Sequence, residues 1–312
     1  MEKFNHKAMD TEFSVSFGLA EDTSLCGAAA TAVFDRLDAL ELLLSRFNDS
    51  SDVAVIRGLS PGQVATIAAE TMDLLVTSAR VCAATGGAFD PTVGPIMDRL
   101  RKTGVTWEAL SDEERNEAFA RGGMQRLILD VEHRRVSVTE DALGRPTPLE
   151  LDFGGIGKGF ALDEVARILK SEQFEIESCL LDAGTSTLLA WGDMKEKGAG
   201  WPLGVGGVWK KRTKLDTVIH LTNGAALSGS GFEIQGQHVV DVRKHDAAAR
   251  WAQTWAYCPT SAAVADALST AALALDAREL SSSCRELSSR VLVAREQKTF
   301  LDKFRDPLKW HF

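Results

Sequence analysis

Apolar side chains recur along the first part of the chain with two different periods. Phe13, Val15 and Phe17 occupy every second position, so a strand with one buried face is predicted over residues 9–19. From about residue 28 to 47 the apolar positions recur every three or four residues, which predicts a long amphipathic helix. The chain therefore begins with a strand that leads into a helix.

Further elements follow in irregular order. A second helix is predicted over about residues 70–84, and Ser111 with Glu114 forms a capping box that opens a third helix toward Arg121. Alternating segments predict a hairpin at 126–129 and 136–138, further strands at 179–184, 203–205, 217–221, 238–241 and 291–294, and a last helix over about 262–275.

Strands and helices that mix without regular alternation favour an α+β fold. We expect a single domain over residues 1–312, in which helices pack on a mixed sheet. Its core covers about residues 9–296, and a C-terminal tail covers residues 297–312. The basic and aromatic part of that tail, 303–312, either packs on the domain or docks a partner.

The segment 149–169 joins a strand pattern, a glycine turn and a helix pattern. Leu149, Leu151 and Phe153 alternate, which predicts a short strand, and residues 154–159 hold four glycines around one lysine. A helix that starts after such a turn directs backbone N–H groups at one point, which suits phosphate or another anion. The alternative is a plain tight connection. Neither the Walker nor the dinucleotide glycine pattern matches the stretch.

Two other segments rich in small residues predict loops. Residues 87–95 contain too much proline and glycine for a helix or a central strand, and shaped loops of this kind often carry function. Residues 227–231, Leu-Ser-Gly-Ser-Gly, predict a flexible turn.

The late helix carries a possible pair of metal ligands. Asp266 and Thr270 are four positions apart, so both side chains project from one helix face. A carboxylate and a hydroxyl are hard oxygen donors of the kind that Mg²⁺ takes together with substrate phosphates. The alternative is a surface aspartate beside a threonine that bonds back to its own helix.

Composition excludes some classes of function. The 25% charged and 45% hydrophobic residues are typical of a globular protein that builds a sizeable core. Thirty-five basic residues against 44 acidic ones give a net charge of −9, which argues against a nucleic-acid binder. An acidic protein can still bind an anion through local donors or a metal.

The cysteines, the apolar runs and the first residues of the chain bear on its thiols and on its location. The five cysteines are widely spaced and form no Cys-x-x-Cys motif, so we expect buried free thiols and no zinc site. No apolar run is long enough to span a membrane, and the first residues have no signal-peptide pattern. We therefore expect a cytoplasmic protein as the chain stands; a trimmed leader is the alternative.

Three motifs resemble a known family, the ApbE-type flavin transferases, which move FMN from FAD onto a protein threonine or serine. Residues 152–161 with Asp163 resemble the family's hallmark Asp-Leu-Gly-Gly-Ile-Ala-Lys-Gly-Tyr-Ala and the aspartate two positions on. The loop at 87–95 matches the family's Gly-Ala-Phe-Asp-Pro-Thr-Val-Gly-Pro residue for residue, and residues 265–270 match its Ala-Asp-Ala-Leu-Ser/Ala-Thr helix. The motifs follow the family's order over about residues 9–275.

The resemblance implies a Mg²⁺ site and a chemistry. The metal ligands would be Asp266, Thr270 and a backbone carbonyl at Gly157, with Mg²⁺ on the FAD pyrophosphate. The implied catalytic residues are His238, which could accept the proton of the acceptor hydroxyl, together with Asp241 and Lys158; a lone histidine on a strand is otherwise structural or exposed. The implied contacts to FAD are Met9, Phe89, Asp90, Thr92, Gly155, Lys158, Asp163, Ser228 and Gly229.

Several positions differ from the family pattern. A second glycine is replaced by Thr185, a proline by Val242 and a glycine by Asp10. Three functions therefore stay open: transfer of FMN from FAD to an acceptor protein with release of AMP, Mg²⁺-dependent hydrolysis of FAD to FMN and AMP, or non-catalytic flavin or nucleotide binding. The first is our prediction, with FAD and an acceptor protein carrying a Ser or Thr as partners. The sequence does not give the oligomeric state.

Overall fold

The structure is a computed structural model that describes residues 1–19, 21–103, 109–184, 186–204, 218–231, 240–241, 243, 246–247, 250–294 and 309–311. Its strands are β1 Lys3–Ala8, β2 Thr11–Phe17, β3 Val64–Thr66, β4 Leu127–Asp130, β5 Arg135–Val138, β6 Cys179–Ala183, β7 Thr187–Trp191, β8 Trp201–Gly204, β9 Val218–Leu221, β10 Ala225–Gly231, β11 Val240–Asp241, β12 Asp246–Ala247, β13 Gln253–Cys258, β14 Arg290–Ala294 and β15 Lys309–His311. Its helices are α1 Thr23–Leu44, α2 Asp52–Arg57, α3 Ala69–Ala84, α4 Gly94–Thr103, α5 Asp112–Ala120, α6 Gly157–Leu169, α7 Ala262–Ala272 and α8 Ala277–Glu286.

One eight-stranded sheet organises the molecule. Its strand order is β1-β2-β6-β7-β10-β13-β14-β15, and every neighbouring pair is antiparallel. Small sheets β3-β5-β4, β8-β9 and β11-β12 accompany it. The predicted α+β class is confirmed, but the main sheet is antiparallel and not mixed, because each strand of it lies beside a partner that runs in the opposite direction.

Helices cover one face of this sheet and a hairpin covers part of the other. Helices α6 and α7 lie directly on β7 and β10, and α1 and α3 pack behind them. The main hydrophobic core fills the space between these layers. On the opposite face, Trp201 and Leu221 of the β8–β9 hairpin pack on Ala190, Leu227 and Leu292.

Local sequence signals explain the helix starts. The Ser111 hydroxyl accepts from the backbone N–H of Glu114 while the Glu114 side chain accepts from the Ser111 N–H, so the predicted capping box is confirmed. The Ser261 hydroxyl caps α7 by accepting from Val264 N at 3.2 Å. The predicted helices near 28–47 and 70–84 are confirmed as α1 and α3.

The predicted strand at Leu149, Leu151 and Phe153 is wrong. All three side chains are buried, as the alternation predicts, but the segment has no regular secondary structure and belongs to no sheet. Its backbone bonds to the loop at 87–95 instead: Asp152 N donates to Pro91 O at 2.7 Å, and Gly94 N donates to Glu150 O at 3.2 Å. Alternating burial alone does not distinguish these two outcomes.

The predicted flexible turn at 227–231 is also wrong. These residues form most of β10, an inner strand that pairs with β7 and β13. Serine and glycine have low strand propensity, but small side chains let α7 approach this strand closely. Tertiary packing therefore overrides the local preference.

The ends of two other predicted segments differ from expectation. The loop at 87–95 is confirmed up to Val93, but Gly94 already begins α4. In the tail, residues 309–311 form β15, which pairs with β14 at the edge of the main sheet; residues 303–308 and 312 lie outside the described part. Within the described residues, none of the helices combines the length and the apolar character that crossing a lipid bilayer needs.

Candidate functional site

The glycine turn before α6 meets the middle of α7. The backbone N–H of Gly159 donates to Asp266 Oδ2 at 3.0 Å. A side chain at Gly155 would place its Cβ 3.2 Å from Thr270 Oγ1, so this glycine lies against the hydroxyl. Gly157 lies between these two glycines in the sequence and is the first residue of α6. The structure therefore brings together the segments that carry all three predicted metal ligands.

Asp266 is a buried carboxylate held by neutral donors. Its side chain is 3% exposed, and Oδ1 accepts from Thr187 Oγ1 at 3.1 Å and from Ser228 Oγ at 3.2 Å. Among the described residues, no lysine, arginine or histidine pairs with it. A buried carboxylate without a cationic partner is costly, so this position favours a cation from outside the chain.

A row of cross-strand neighbours explains how the two hydroxyls reach Asp266. Thr187 pairs with Ala183 on one side and with Ser228 on the other, and Ser228 pairs with Ala256. Directly paired residues project from the same face of an antiparallel sheet. Thr187 and Ser228 are thus the polar members of a row that faces α7.

More hydroxyls continue from this row along α7. Ser228 Oγ lies 3.3 Å from Ser269 Oγ, and Ser269 Oγ lies 2.8 Å from Ser230 Oγ. Ser230 Oγ lies 3.4 Å from Thr270 Oγ1, which itself donates to the carbonyl oxygen of Asp266 at 3.3 Å. A continuous chain of hydroxyl groups therefore joins the two predicted side-chain ligands of the metal.

Phe89 lies at one side of the cluster formed by Gly155, Asp266, Thr270 and the neighbouring hydroxyl groups. It is buried, and its Cε2 would lie 3.6 Å from a Cβ on Gly155. The next residues fix the loop: Asp90 Oδ1 accepts from Thr92 N at 2.8 Å and from Thr92 Oγ1 at 2.7 Å, and Asp90 Oδ2 accepts from Met124 N at 3.2 Å. Burial raises the pKa of Asp90. In this structure Asp90 and Thr92 hold the loop against the turn at 122–124.

The N–H groups at the start of α6 bind carboxylates of the protein itself. Gly159 N donates to Asp266, and Gly154 N donates to Asp152 Oδ1 at 2.8 Å. Arg46 Nη1 donates to Asp152 Oδ2 at 2.7 Å and so holds the carboxylate from its other side. Lys158 Nζ donates to Gly154 O at 2.9 Å. The glycine turn is therefore stabilised by acidic side chains, with the Lys158 ammonium at its surface, and phosphate binding there stays a prediction.

Asp163 has a contact that the sequence does not predict. Its carboxylate accepts from Ala262 N at 2.7 Å, from Ala263 N at 3.0 Å and from Ser261 Oγ at 2.8 Å, so it caps the N-terminus of α7. Burial raises its pKa. The predicted contact of Asp163 with FAD stays a prediction.

Two further predicted cofactor contacts, Gly229 and Met9, lie in a strand of the main sheet and in a turn between two of its strands. Gly229 pairs with Trp255 on the sheet face opposite Asp266, where a Cβ would lie 3.0 Å from the indole Cδ1. Met9 lies in the two-residue turn between β1 and β2, where Met9 and Asp10 have φ angles of 49° and 58°. These angles are those of a hairpin turn, and aspartate tolerates them where the family has glycine.

Of the three predicted catalytic residues, Asp241 and Lys158 are described and His238 is not. Asp241 is buried and binds Arg243: Nε lies 2.9 Å from Oδ1, and Nη2 lies 2.8 Å from Oδ2. Arg243 also donates to Glu279 of α8 at 2.8 Å. His238 lies outside the described residues. Asp241 therefore anchors its segment to α8, and the predicted role of His238 as a base stays a prediction.

Two features bear on whether Mg²⁺ fits here. The described residues contain no group of three or more His, Cys, Asp or Glu side chains that could hold a metal. Asp266 and Thr270 are instead oxygen donors beside residues 155–159, which include the Gly157 carbonyl. Mg²⁺ is commonly bound by one or two carboxylates together with substrate phosphates. The donor set fits a magnesium ion that shares its coordination with a phosphorylated substrate.

Sequence reasoning missed Thr187, Ser230 and Ser269. Ser228 and Ser230 are two positions apart, which is the spacing of one strand face, but the segment that contains them was predicted as a turn. Thr187 gives no signal of its own, because a threonine in a strand is ordinary.

Comparison with known proteins places the chain in a family. A sequence model of the ApbE family matches residues 9–293. The chain belongs to the ApbE family. The ApbE motifs at 87–95, 152–161 and 265–270 are the segments that the structure gathers around Asp266.

Relatives and solved structures agree with this assignment. The chain is 30% identical over 228 residues to the FAD:protein FMN transferase of Escherichia coli K12, which covers 66% of this chain and 59% of that protein. It is 26% identical over 250 residues to the FAD:protein FMN transferase of Klebsiella pneumoniae, covering 75% and 67%. The chain thus spans about three-fifths to two-thirds of these relatives.

The fold matches solved ApbE proteins over nearly the whole chain. The flavin transferase ApbE from Vibrio cholerae superposes with a TM-score of 0.76 at 18% identity, covering 99% of this chain and 96% of that one. The ApbE protein from Thermotoga maritima gives a TM-score of 0.74 at 23% identity, covering 98% and 99%. At these identities the structures support the fold alone.

Proposed function

We propose that this ApbE protein transfers FMN from FAD to a serine or threonine hydroxyl of an acceptor protein and releases AMP. The observation that carries the proposal is Asp266, a buried carboxylate without a described cationic partner, one helical turn from Thr270 and in contact with the glycine turn. The E. coli and Klebsiella relatives carry the name of this activity.

The reaction exchanges the phosphoanhydride bond of FAD for a phosphate ester bond to the acceptor. The acceptor oxygen bonds to the FMN phosphorus, the bond from that phosphorus to the bridging oxygen breaks, and AMP leaves with that oxygen while the acceptor's proton passes to a base. Asp266, Thr270 and the Gly157 carbonyl would hold Mg²⁺, which when bound supplies charge neutralisation on the pyrophosphate.

The remaining residues bind and orient the substrate. Lys158 brings a positive charge to the surface of the glycine turn, where it would offset the phosphate charge. Phe89 gives an apolar wall beside Gly155. We assign proton acceptance to His238, which precedes Asp241 by three positions in the sequence.

The experiment combines FAD, Mg²⁺ and a peptide with a candidate acceptor threonine, followed by in-gel flavin fluorescence and measurement of AMP. A fluorescent peptide with stoichiometric AMP supports transfer. AMP without labelled peptide supports the FAD-hydrolysing alternative, and FAD binding without either product supports the non-catalytic one.

Asp266→Ala tests the metal assignment. We expect Mg²⁺-dependent release of AMP to fall at least about 100-fold, because the only predicted side-chain carboxylate ligand is removed. Asp35→Ala, which removes an exposed aspartate of α1, is the matched control and should keep the wild-type rate. Equal rates in the two variants would refute the assignment.

A further inference from the structure

Asp266 receives its three donors from three different elements. Thr187 belongs to β7, Ser228 belongs to β10, and Gly159 belongs to α6. The terminal torsion of an aspartate is broad, so an aspartate on its own samples many orientations of the carboxylate plane. Because the three donors are fixed to two strands and a helix, they hold the plane of the Asp266 carboxylate in one orientation.

The three donors also leave the Asp266 carboxylate with a free lone-pair site, and they do not neutralise its charge. A carboxylate has about four lone-pair sites, and the three donors occupy about three of them. Hydroxyl and amide donors are neutral, so the negative charge stays available to a cation, whereas an arginine partner would have neutralised it. The three donors fix the orientation of the Asp266 carboxylate, and its fourth lone-pair site is left for a single metal–oxygen bond.

The two hydroxyls are ordered as well. Thr187 Oγ1 and Ser228 Oγ lie 2.9 Å apart, and both residues are fully buried. Their cross-strand pairing fixes the backbone spacing between them. Because the Ser228 side chain lies inside the protein, a contact between this residue and FAD would have to involve its backbone.

We propose that Thr187 and Ser228 are positioning residues, which orient the Asp266 carboxylate so that its remaining lone pair faces a divalent cation. The proposal rests on the proposed function, because it takes Asp266 as a metal ligand. The hydroxyls of Ser269 and Ser230 continue the contacts from Ser228 to Thr270. Through them, the same two residues also orient the Thr270 hydroxyl.

The test compares four variants of the full chain by their affinity for Mn²⁺, measured without FAD and with FAD. Thr187→Val keeps the side-chain shape without the hydroxyl, Ser228→Ala removes the second hydroxyl, and Thr187→Ser restores a hydroxyl at the first position. Ser283→Ala is the matched control, because its buried hydroxyl bonds to Ala84 O at 2.8 Å, away from the site. Electron paramagnetic resonance gives the Mn²⁺ dissociation constant, and AMP release gives the Mg²⁺ concentration for half-maximal rate.

We expect Thr187→Val and Ser228→Ala to weaken Mn²⁺ binding about 10-fold or more, as loss of groups that orient metal ligands commonly does. The Mg²⁺ requirement should rise in parallel, while Thr187→Ser and Ser283→Ala stay near wild type. A purely structural role would lower the melting temperature and leave the Mn²⁺ affinity of the folded protein unchanged.

The outcomes separate this inference from the proposed function. Wild-type Mn²⁺ affinity in folded Thr187→Val and Ser228→Ala overturns the positioning role and leaves the metal site standing. If Thr187→Val fails to fold, Ser228→Ala decides, because it removes one atom from a serine. A wild-type protein that binds Mn²⁺ neither alone nor in the presence of FAD overturns both the metal site and its positioning residues.

Discussion

The carboxylates of Asp182 and Asp266 lie on opposite faces of the main sheet and differ in their hydrogen-bond partners. Asp182 lies on β6 between Ser14 and Leu188, on the face opposite the one that carries Thr187. Burial raises its pKa to about 6, and among the described residues its Oδ1 has no hydrogen-bond partner. Asp266 has three donors, whereas Asp182 is left with an unsatisfied oxygen. We therefore expect Asp182 to lower the stability of the fold when it is ionised.

Replacing Asp182 by asparagine should stabilise the protein at neutral pH and not at acidic pH. Because the folded-state pKa lies above the unfolded value, the native state loses stability through this group as the pH rises from about 4 to about 6. Above that range we expect Asp182→Asn to gain on the order of 1–2 kcal/mol in the free energy of unfolding. Urea denaturation of both proteins at pH 8 and at pH 4 measures the difference. A gain of the same size at both values would contradict the prediction.

Single residues of the site differ in how far the sequence reveals them. Asp266 and Thr270 are four positions apart in a helix, a spacing that predicts a shared face. Thr187 lies 79 positions from Asp266, and only the order of the strands brings the two together. Donors of this kind depend on sheet topology, which a one-dimensional pattern does not contain.

At the scale of elements, the contact between α6 and α7 governs the geometry of the site. The two helices approach so closely at Gly159 that a Cβ there would overlap the carbonyl oxygen of Ala262. The small side chains along α7, with alanine at 262, 263, 265 and 267, allow the same approach from the other side. This close approach brings the Gly159 N–H within 3.0 Å of Asp266.

Gly159→Ala should therefore destabilise the protein. Backbone atoms cannot yield as a flexible side chain can, so we expect a loss of about 1–3 kcal/mol in the free energy of unfolding, measured by urea denaturation. The matched control is Gly27→Ala in α1, where a Cβ would meet nothing within 4 Å. Alanine is the better helix former, so the control should gain roughly 0.5–1 kcal/mol. Equal effects at the two positions would show that helix packing is not the cause.

Strand β10 and the segment at 149–153 show why some elements escape prediction from sequence. The first has the composition of a turn and becomes an inner strand, because α7 requires small neighbours. The second has the alternation of a strand and stays outside every sheet, because its backbone pairs with the loop at 87–95. In both segments the deciding contacts come from residues distant in the chain, whereas α1 and α3 follow their local pattern.

At the scale of the whole molecule, the main sheet ends in β15 on one side. This short strand pairs with β14 through Val291, Leu292 and Val293, all of which are buried. An uncovered edge with such side chains is a template for pairing with another chain. Strand β15 therefore protects an edge that would otherwise be exposed among the described residues.

A chain that ends at residue 308 should self-associate more than the full chain at the same concentration. The reason is the exposed backbone of β14, and size-exclusion chromatography with light scattering measures the mass distribution. A variant that lacks only residue 312 is the control, because it keeps residues 309–311. Identical mass distributions for the two shortened chains would contradict the protective role of β15.

The distance along the chain between Gly159 and Asp266 also sets the order in which the site can appear during synthesis. The two residues are 107 positions apart, so a ribosome that adds about 5–20 residues per second reaches Asp266 roughly 5–20 s after the glycine turn. During that interval the turn exists without its partner helix. A nascent chain therefore cannot bring Asp266 against the Gly159 N–H until α7 has been synthesised.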